Sequence, residues 1–332
     1  MTSAAERRQA QIAAVAGPQG AGAAPEPLAG DISSRTFFRV RSPGGGTAVA
    51  VLYPPGEEAG ADLYLATARE LARAGVPVPA VRGGNVAAGA VLVEDCGRET
   101  LQDRAGKEGP ADLAELYRRA VEILVRMQGN LGRGEPAFSP PFDGAIFERE
   151  LLMFLETVAP RGPEKTWREL FARVTEAALE QPFCFCHRDY HSRNLMVVGK
   201  ELKVLDFQDC RAGPYTYDPV SLAYDPYVSR NPDRSRRVLE GYFSLRPRFL
   251  RGISLSEFER DCDTMSLQRL LKAAGTYGKV FRATGNRVFL RYLDRAREWA
   301  REIVVGRAEF RGYSDLFRNW EPLHRGAAEE SV

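Results

Sequence analysis

The chain has 332 residues, 44% of them hydrophobic and 27% charged, and its 46 basic side chains nearly balance 44 acidic ones for a formal charge of +2. That length suffices for one large domain or two lobes with separate cores. The near-neutral charge excludes a bulk electrostatic draw to nucleic acid or an anionic membrane. No apolar run approaches the roughly 18 residues of a spanning helix, so neither nucleic acid nor membrane is expected as a partner.

The N-terminus carries Glu6, Arg7 and Arg8 and continues into Ala, Gly and Pro rather than an apolar h-region, so no secretory signal is expected. Residues 13–30 hold too few large apolar groups to offset chain entropy. Residues 1–27 are accordingly read as a mobile lead-in. Five cysteines (Cys96, Cys184, Cys186, Cys210, Cys262) offer one C-x-C pair and no disulfide or zinc spacing, which suits free thiols in a reducing cytoplasm. Only six basic residues are lysines, and the first is Lys107; an arginine-favouring codon bias accounts for the rest.

Residues 36–40 and 47–53 are β-branched and aromatic runs split by Ser42-Pro43-Gly44-Gly45-Gly46, which predicts a hairpin. Helical spacing over 62–74 stops at Gly75, ahead of Pro77 and Pro79. Further strands follow at 78–82 and 90–93. Beyond Glu94 to Gly97 the apolar period becomes 3.6, over 113–127, 146–158, 167–179, 236–243, 258–281 and 288–305. The expected fold is α+β and bilobal: a small antiparallel-sheet N-lobe (28–97) for nucleotide phosphates and hinge, and a larger, mostly helical C-lobe (98–332) for the catalytic loop, metal and acceptor.

Within the helical part stands His187-Arg188-Asp189-Tyr190-His191-Ser192-Arg193-Asn194, then two apolar strands around a Gly199-Lys200 turn, ending at Asp206-Phe207-Gln208-Asp209. Such a hairpin brings Asn194 beside Asp206, an amide and a carboxylate oxygen that suit magnesium. Asp189, five residues before Asn194, is free to accept a proton from an attacking hydroxyl. The order His, Asp, Asn, Asp is the H-x-D-x-x-x-x-N plus D-F pattern of the kinase fold. His187 and His191 have zinc-ligand spacing, but neither a Glu at the H-E-x-x-H position nor a third ligand accompanies them, so they are read as supports of the loop.

These residues, with Gly30-Asp31, Arg35, Phe38-Arg39, the run from Gly213-Pro214 to Tyr217-Asp218, and Leu267-Gln268-Arg269 through Leu271-Lys272, resemble the aminoglycoside phosphotransferase and choline kinase-like family. Within it the chain is most similar, over about residues 28–300, to bacterial anomeric kinases of the cell-wall sugars N-acetylmuramate and N-acetylglucosamine. The resemblance implies a cytoplasmic kinase that uses ATP and magnesium, with Asp189 as catalytic base, Asn194 and Asp206 on the metal, and Asp218 bracing the loop.

Kinases of this fold usually hold the α and β phosphates with a strand lysine, and none precedes Lys107 here. Arg35 and Arg39 are the candidate replacements, since a guanidinium binds phosphate in bidentate fashion, and Ser33 and Ser34 are candidates to cradle the anion. Backbone groups of Val93, Glu94 and Asp95 are the expected adenine contacts. Arg193, Asp209 and Glu150 are the candidate acceptor contacts. Residues 231–332 carry 20 Lys plus Arg against 14 Asp plus Glu, which disfavours a polycationic acceptor. A different hydroxyl acceptor (an aminoglycoside, another hexose, an amino alcohol) and a nucleotide-binding pseudokinase are the competing readings. Oligomeric state is not legible.

Overall fold

The computed structural model describes residues 3–22, 24–28, 34–42, 45–107, 109–131, 140–158 and 162–320. In chain order the elements are α1 (Ala4–Gly22), β1 (Glu26–Leu28), β2 (Thr36–Arg41), β3 (Thr47–Leu52), α2 (Ala59–Arg73), β4 (Val81–Asn85) and β5 (Ala90–Glu94). There follow α3 (Leu101–Ala105), α4 (Pro110–Leu131), α5 (Gly144–Val158), α6 (Glu164–Leu179), β6 (Phe183–Cys186), β7 (Leu195–Val198), β8 (Glu201–Val204) and β9 (Arg211–Pro214). Last come α7 (Tyr217–Ala223), α8 (Pro232–Leu245), α9 (Leu255–Thr284), α10 (Val288–Gly306) and α11 (Ser314–Arg318). The chain forms two compact units, Met1–Thr100 with Asn194–Asp209, and Leu101–Arg193 with Cys210–Val332. No helix among the described residues is long and apolar enough to cross a membrane.

The first unit is built on a five-stranded antiparallel sheet in the order β1-β2-β3-β5-β4. Alternate residues Phe38 and Val40, Ala48, Ala50 and Leu52, Ala90 and Leu92 share a core with Ile12 and Ala16 of α1, as the period-2 pleat requires. Here the structure departs from the expected lead-in. Residues 4–22 are helical, kinked at Gly17 (φ 71°), with Ile12 and Ala16 fully buried one turn apart. Three of the sheet residues in that core, Ala48, Ala50 and Ala90, are small, and Phe38, Val40, Leu52 and Leu92 supply the larger apolar contacts. The first unit's leading segment ends at Thr100, and β4 starts three residues later than the sequence run. The β7–β8 hairpin, expected in the second lobe, belongs to the first unit: Val197 N–H donates to Glu99 O and Val204 N–H to Pro77 O, both at 2.8 Å.

The second unit packs α5, α6, α9, α10 and α11 around a core that includes Phe154, Trp167, Phe171, Trp299 and Trp320. The boundaries of α9 are written locally. Ser254 and Glu257 form a capping box at its start, and Gly285 closes it in the left-handed region (φ 68°). Gly275 lets α9 lie against α5, since a Cβ there would stand 2.9 Å from the N and Cα of Phe154. Gly275→Ala should therefore destabilise by about 1–3 kcal/mol as an overpacked core position. The check is the urea midpoint at unchanged m; an unchanged midpoint would mean the α5–α9 contact has slack.

Candidate active site

In the second unit, β6 pairs with β9 and delivers the chain to His187. The loop that follows is pinned by its backbone. The buried Asp218 carboxylate accepts the N–H of His187 at 2.6 Å and of Arg188 at 2.9 Å. Asp225 accepts the N–H groups of Ser192 and Tyr227, both at 2.8 Å, and Tyr190 donates its hydroxyl to Ala120 O at 2.7 Å. Arg188 sits at φ 78°, a conformation uncommon for a side-chain-bearing residue and held here by both of its ends. Burial pushes the Asp218 pKa up, against the opposing pull of His187 and the two N–H groups.

His187 is buried, its ring edge-on to Tyr190, and its Nδ1 accepts the Asp189 N–H at 3.3 Å. His191 packs on Tyr227, its Nδ1 has no hydrogen-bond partner, and burial lowers its pKa despite Asp225 and Asp189. Among the described residues no group of three or more His, Cys, Asp or Glu is placed to hold a metal ion. The Arg193 guanidinium lies 4.7 Å from the centre of the Tyr227 ring, a cation–π contact.

Asp189 is the most exposed member of a charged cluster at 35%, against 14% for Lys272, 9% for Arg269, 16% for Arg188 and 11% for Glu150. Lys272 Nζ donates to Asp189 Oδ1 at 3.1 Å, and Arg269 Nη2 reaches the same oxygen at 3.5 Å. Glu150 accepts from Arg188 Nη2 and Gln268 Nε2, each at 2.9 Å. Burial alone would raise the Asp189 pKa, but Lys272, Arg269, His191 and Arg188 outweigh it and hold the carboxyl well below its usual range. Glu150 is held low against its burial by Lys272, Arg188 and Arg269. Both carboxylates are thus ionised at neutral pH.

In the first unit the β7–β8 register sets Leu195 opposite Val204, and the Leu205 N–H donates to Asn194 O at 2.8 Å. Asn194 and Asp206 are thereby brought to one end of the hairpin. Asp206 adopts φ 60° and pairs with Arg35 Nη2 at 2.5 Å, and Gln208 Nε2 donates to both Asp206 (3.0 Å) and Asp209 (3.2 Å). The two candidate arginines have separate partners. Arg39 forks onto Asp95 at 2.6 and 2.9 Å and also donates to Gly97 O, tying β2 to the segment after β5. That fork, with Thr47 and the Gly97 N–H, takes the Asp95 pKa down to about 2 in spite of burial. Ser34 donates to Glu57 at 2.6 Å, while Ser33 lies outside the described residues. Val93 is buried in β5, and Glu94 accepts the Ala80 N–H at 3.0 Å and pairs with Lys203.

Sequence reasoning gave no role to Arg269, Lys272, Arg188, Gln268 or Asp225. Their signal was present: Gln268, Arg269 and Lys272 interrupt a helical stretch whose Leu267, Leu270, Leu271 and Ala274 are all core residues. Charges placed in such a stretch require partners.

Residues 25–252 match the phosphotransferase enzyme family. An N-acetylmuramate/N-acetylglucosamine kinase of Pseudomonas aeruginosa is 31% identical over 302 residues, covering 87% of this chain and 86% of that protein. A kinase of the same description from Pseudomonas putida is 30% identical over 86% of this chain and 85% of its own length. Among solved structures, a choline/ethanolamine kinase family protein from Mesorhizobium loti superposes with a TM-score of 0.61 at 17% identity, over 94% of this chain and 98% of that one. An ADP-bound aminoglycoside phosphotransferase gives 0.53 at 12% identity, over 82% and 91%. With a sheet-based unit, a helical unit and this family match over most of its length, the chain has the protein-kinase-like fold and belongs to the phosphotransferase enzyme family.

Proposed function

We propose that the protein transfers the γ-phosphoryl group of ATP to the 1-hydroxyl of an amino sugar, N-acetylmuramate or N-acetylglucosamine, with Asp189 receiving the hydroxyl's hydrogen bond and proton. The observation that carries the reading is Asp189, an ionised carboxylate presented from a pinned loop. A carboxylate with a depressed pKa is a weak base and orients a nucleophile better than it deprotonates one. Phosphoryl transfer through a loose transition state asks mainly for such positioning. A hemiacetal hydroxyl is more acidic than an ordinary alcohol, so it suits a weak base. The sugars are those named for the two Pseudomonas relatives.

Asn194 and Asp206 fit magnesium. Both offer oxygen, two protein ligands completed by phosphate and water is that ion's habit, and the Arg35 ion pair marks Asp206 as a carboxylate that attracts a cation. When bound, magnesium would neutralise charge on the phosphates. Arg35 is the candidate to assume the missing lysine's work, since its guanidinium sits at Asp206, one of the two proposed magnesium ligands, whereas that of Arg39 sits at Asp95. The cytoplasm, where ATP is available, is the proposed compartment.

Around Asp189 and Glu150 stand three cations, Arg188, Arg269 and Lys272. A polycationic aminoglycoside would meet repulsion there. The test is phosphorus NMR of the protein with ATP, magnesium and a panel of N-acetylmuramate, N-acetylglucosamine, glucose, galactose and kanamycin. The expected result is a glycosyl-1-phosphate doublet, split by the anomeric proton, for an N-acetylated sugar. Product on kanamycin alone, or ATP bound but never turned over, would overturn the reading.

A further inference from the structure

Helix α9 lies some eighty residues beyond the catalytic loop, yet it supplies two cations that bond to Asp189. Its segment Leu267 to Ala274 is a core helix, and burying Arg269 and Lys272 in it is costly unless every charge is met. Each is met from another element of the same unit. Arg269 Nε donates to Ser221 Oγ at 2.8 Å and Nη1 to the Tyr217 hydroxyl at 2.6 Å, both on α7. That leaves its remaining arm on the loop. Lys272, one turn on, addresses the same Asp189 oxygen, and Glu150 of α5 balances the opposite side through Arg188 and Gln268. The gradient of exposure gives the arrangement a direction: the cations are buried at the back and the carboxylate faces outward.

We infer that Lys272, backed by Arg269, is a positioning residue of the transfer: it anchors Asp189 by one carboxylate oxygen so that the carboxylate is presented to the acceptor hydroxyl in a single orientation. The inference rests on the phosphotransferase reading above, but not on which hydroxyl is phosphorylated. Two consequences separate positioning from core stability. Loss of the anchor lets the carboxylate rotate, and misplacement by about 1 Å costs on the order of a hundredfold in rate. The groups facing Asp189 are Lys272 and Arg269 from α9, Arg188 and His191 from its own loop and Tyr217 from α7, with Glu150 of α5 behind Lys272 and Arg188. Asp189 must be ionised to act, so activity falls as pH drops through its pKa. Removing Lys272 removes an opposing charge while burial still raises that pKa, so the acid limb must move to higher pH.

The experiment measures kcat, KM for ATP and the pH profile of kcat/KM for the acceptor in the wild type, Lys272→Met and Lys272→Arg, with whichever acceptor the panel identifies. Lys272→Met should lower kcat on the order of a hundredfold, leave KM for ATP within about threefold, and move the acid limb to higher pH. Lys272→Arg should restore the wild-type limb and part of kcat. Should Lys272→Met fail to fold, Lys272→Gln, of similar reach but uncharged, carries the same profile. Near-wild-type kcat with an unmoved acid limb would overturn the inference, as would Lys272→Arg behaving like Lys272→Met. If the wild type phosphorylates another hydroxyl, the sugar reading falls and the Lys272 test runs unchanged on that acceptor.

Discussion

Asp189→Asn should lower kcat by about a hundredfold to ten-thousandfold, the range for loss of a general base, while ATP binding stays within a few-fold of wild type. The amide keeps the shape of the side chain and can present its carbonyl oxygen to Lys272, but it cannot accept the acceptor's proton. The substitution also removes a counter-charge from Arg269 and Lys272. Burial and Arg269 already lower the Lys272 pKa, with Asp189 among the charges opposing them, so in the variant Lys272 gives up its proton more readily. That route limits the cost of stranding a cation and favours a folded protein. A steady-state assay of ADP release beside a direct ATP-binding titration decides the matter. Turnover within a few-fold of wild type would remove Asp189 from the chemistry.

What the sequence made legible follows from how far apart the interacting residues lie. The β2–β3 hairpin and the large helices are written in local periods of two and 3.6, and they stand within a few residues of their expected positions. The loop from His187 to Asn194 is legible because its chemistry is packed into eight consecutive residues. Helix α1 was not, since an Ala-rich segment shows little amphipathic contrast and its value lies in two residues, Ile12 and Ala16, that meet a sheet face distant in sequence. The separate fates of Arg35 and Arg39 depend on partners distant in sequence. Arg39 faces Glu26 across β1, a strand of three residues, and forks onto Asp95, while Arg35 meets Asp206, 171 positions away. The α9 cations were visible as charges in an apolar helix, but nothing local says that Asp189 is what they serve.

Asp206→Asn should abolish most turnover, by on the order of a thousandfold, the scale for removing a preorganised electrostatic group from a transfer site. The choice of Asn isolates charge from shape. Asp206 sits at φ 60°, and Asn is among the few residues that adopt this conformation readily. Gln208 can still donate to the remaining side-chain oxygen. Arg35, only 10% exposed, loses its ionised partner, and a modest loss of stability is expected from that cation, not from the backbone. The signature is in the magnesium dependence: ATP titrations at increasing magnesium should show a weakened, right-shifted response, which Asp189→Asn should leave intact. A wild-type magnesium response in Asp206→Asn would move the metal to other ligands and leave the Arg35–Asp206 pair as a contact of the β7–β8 hairpin alone.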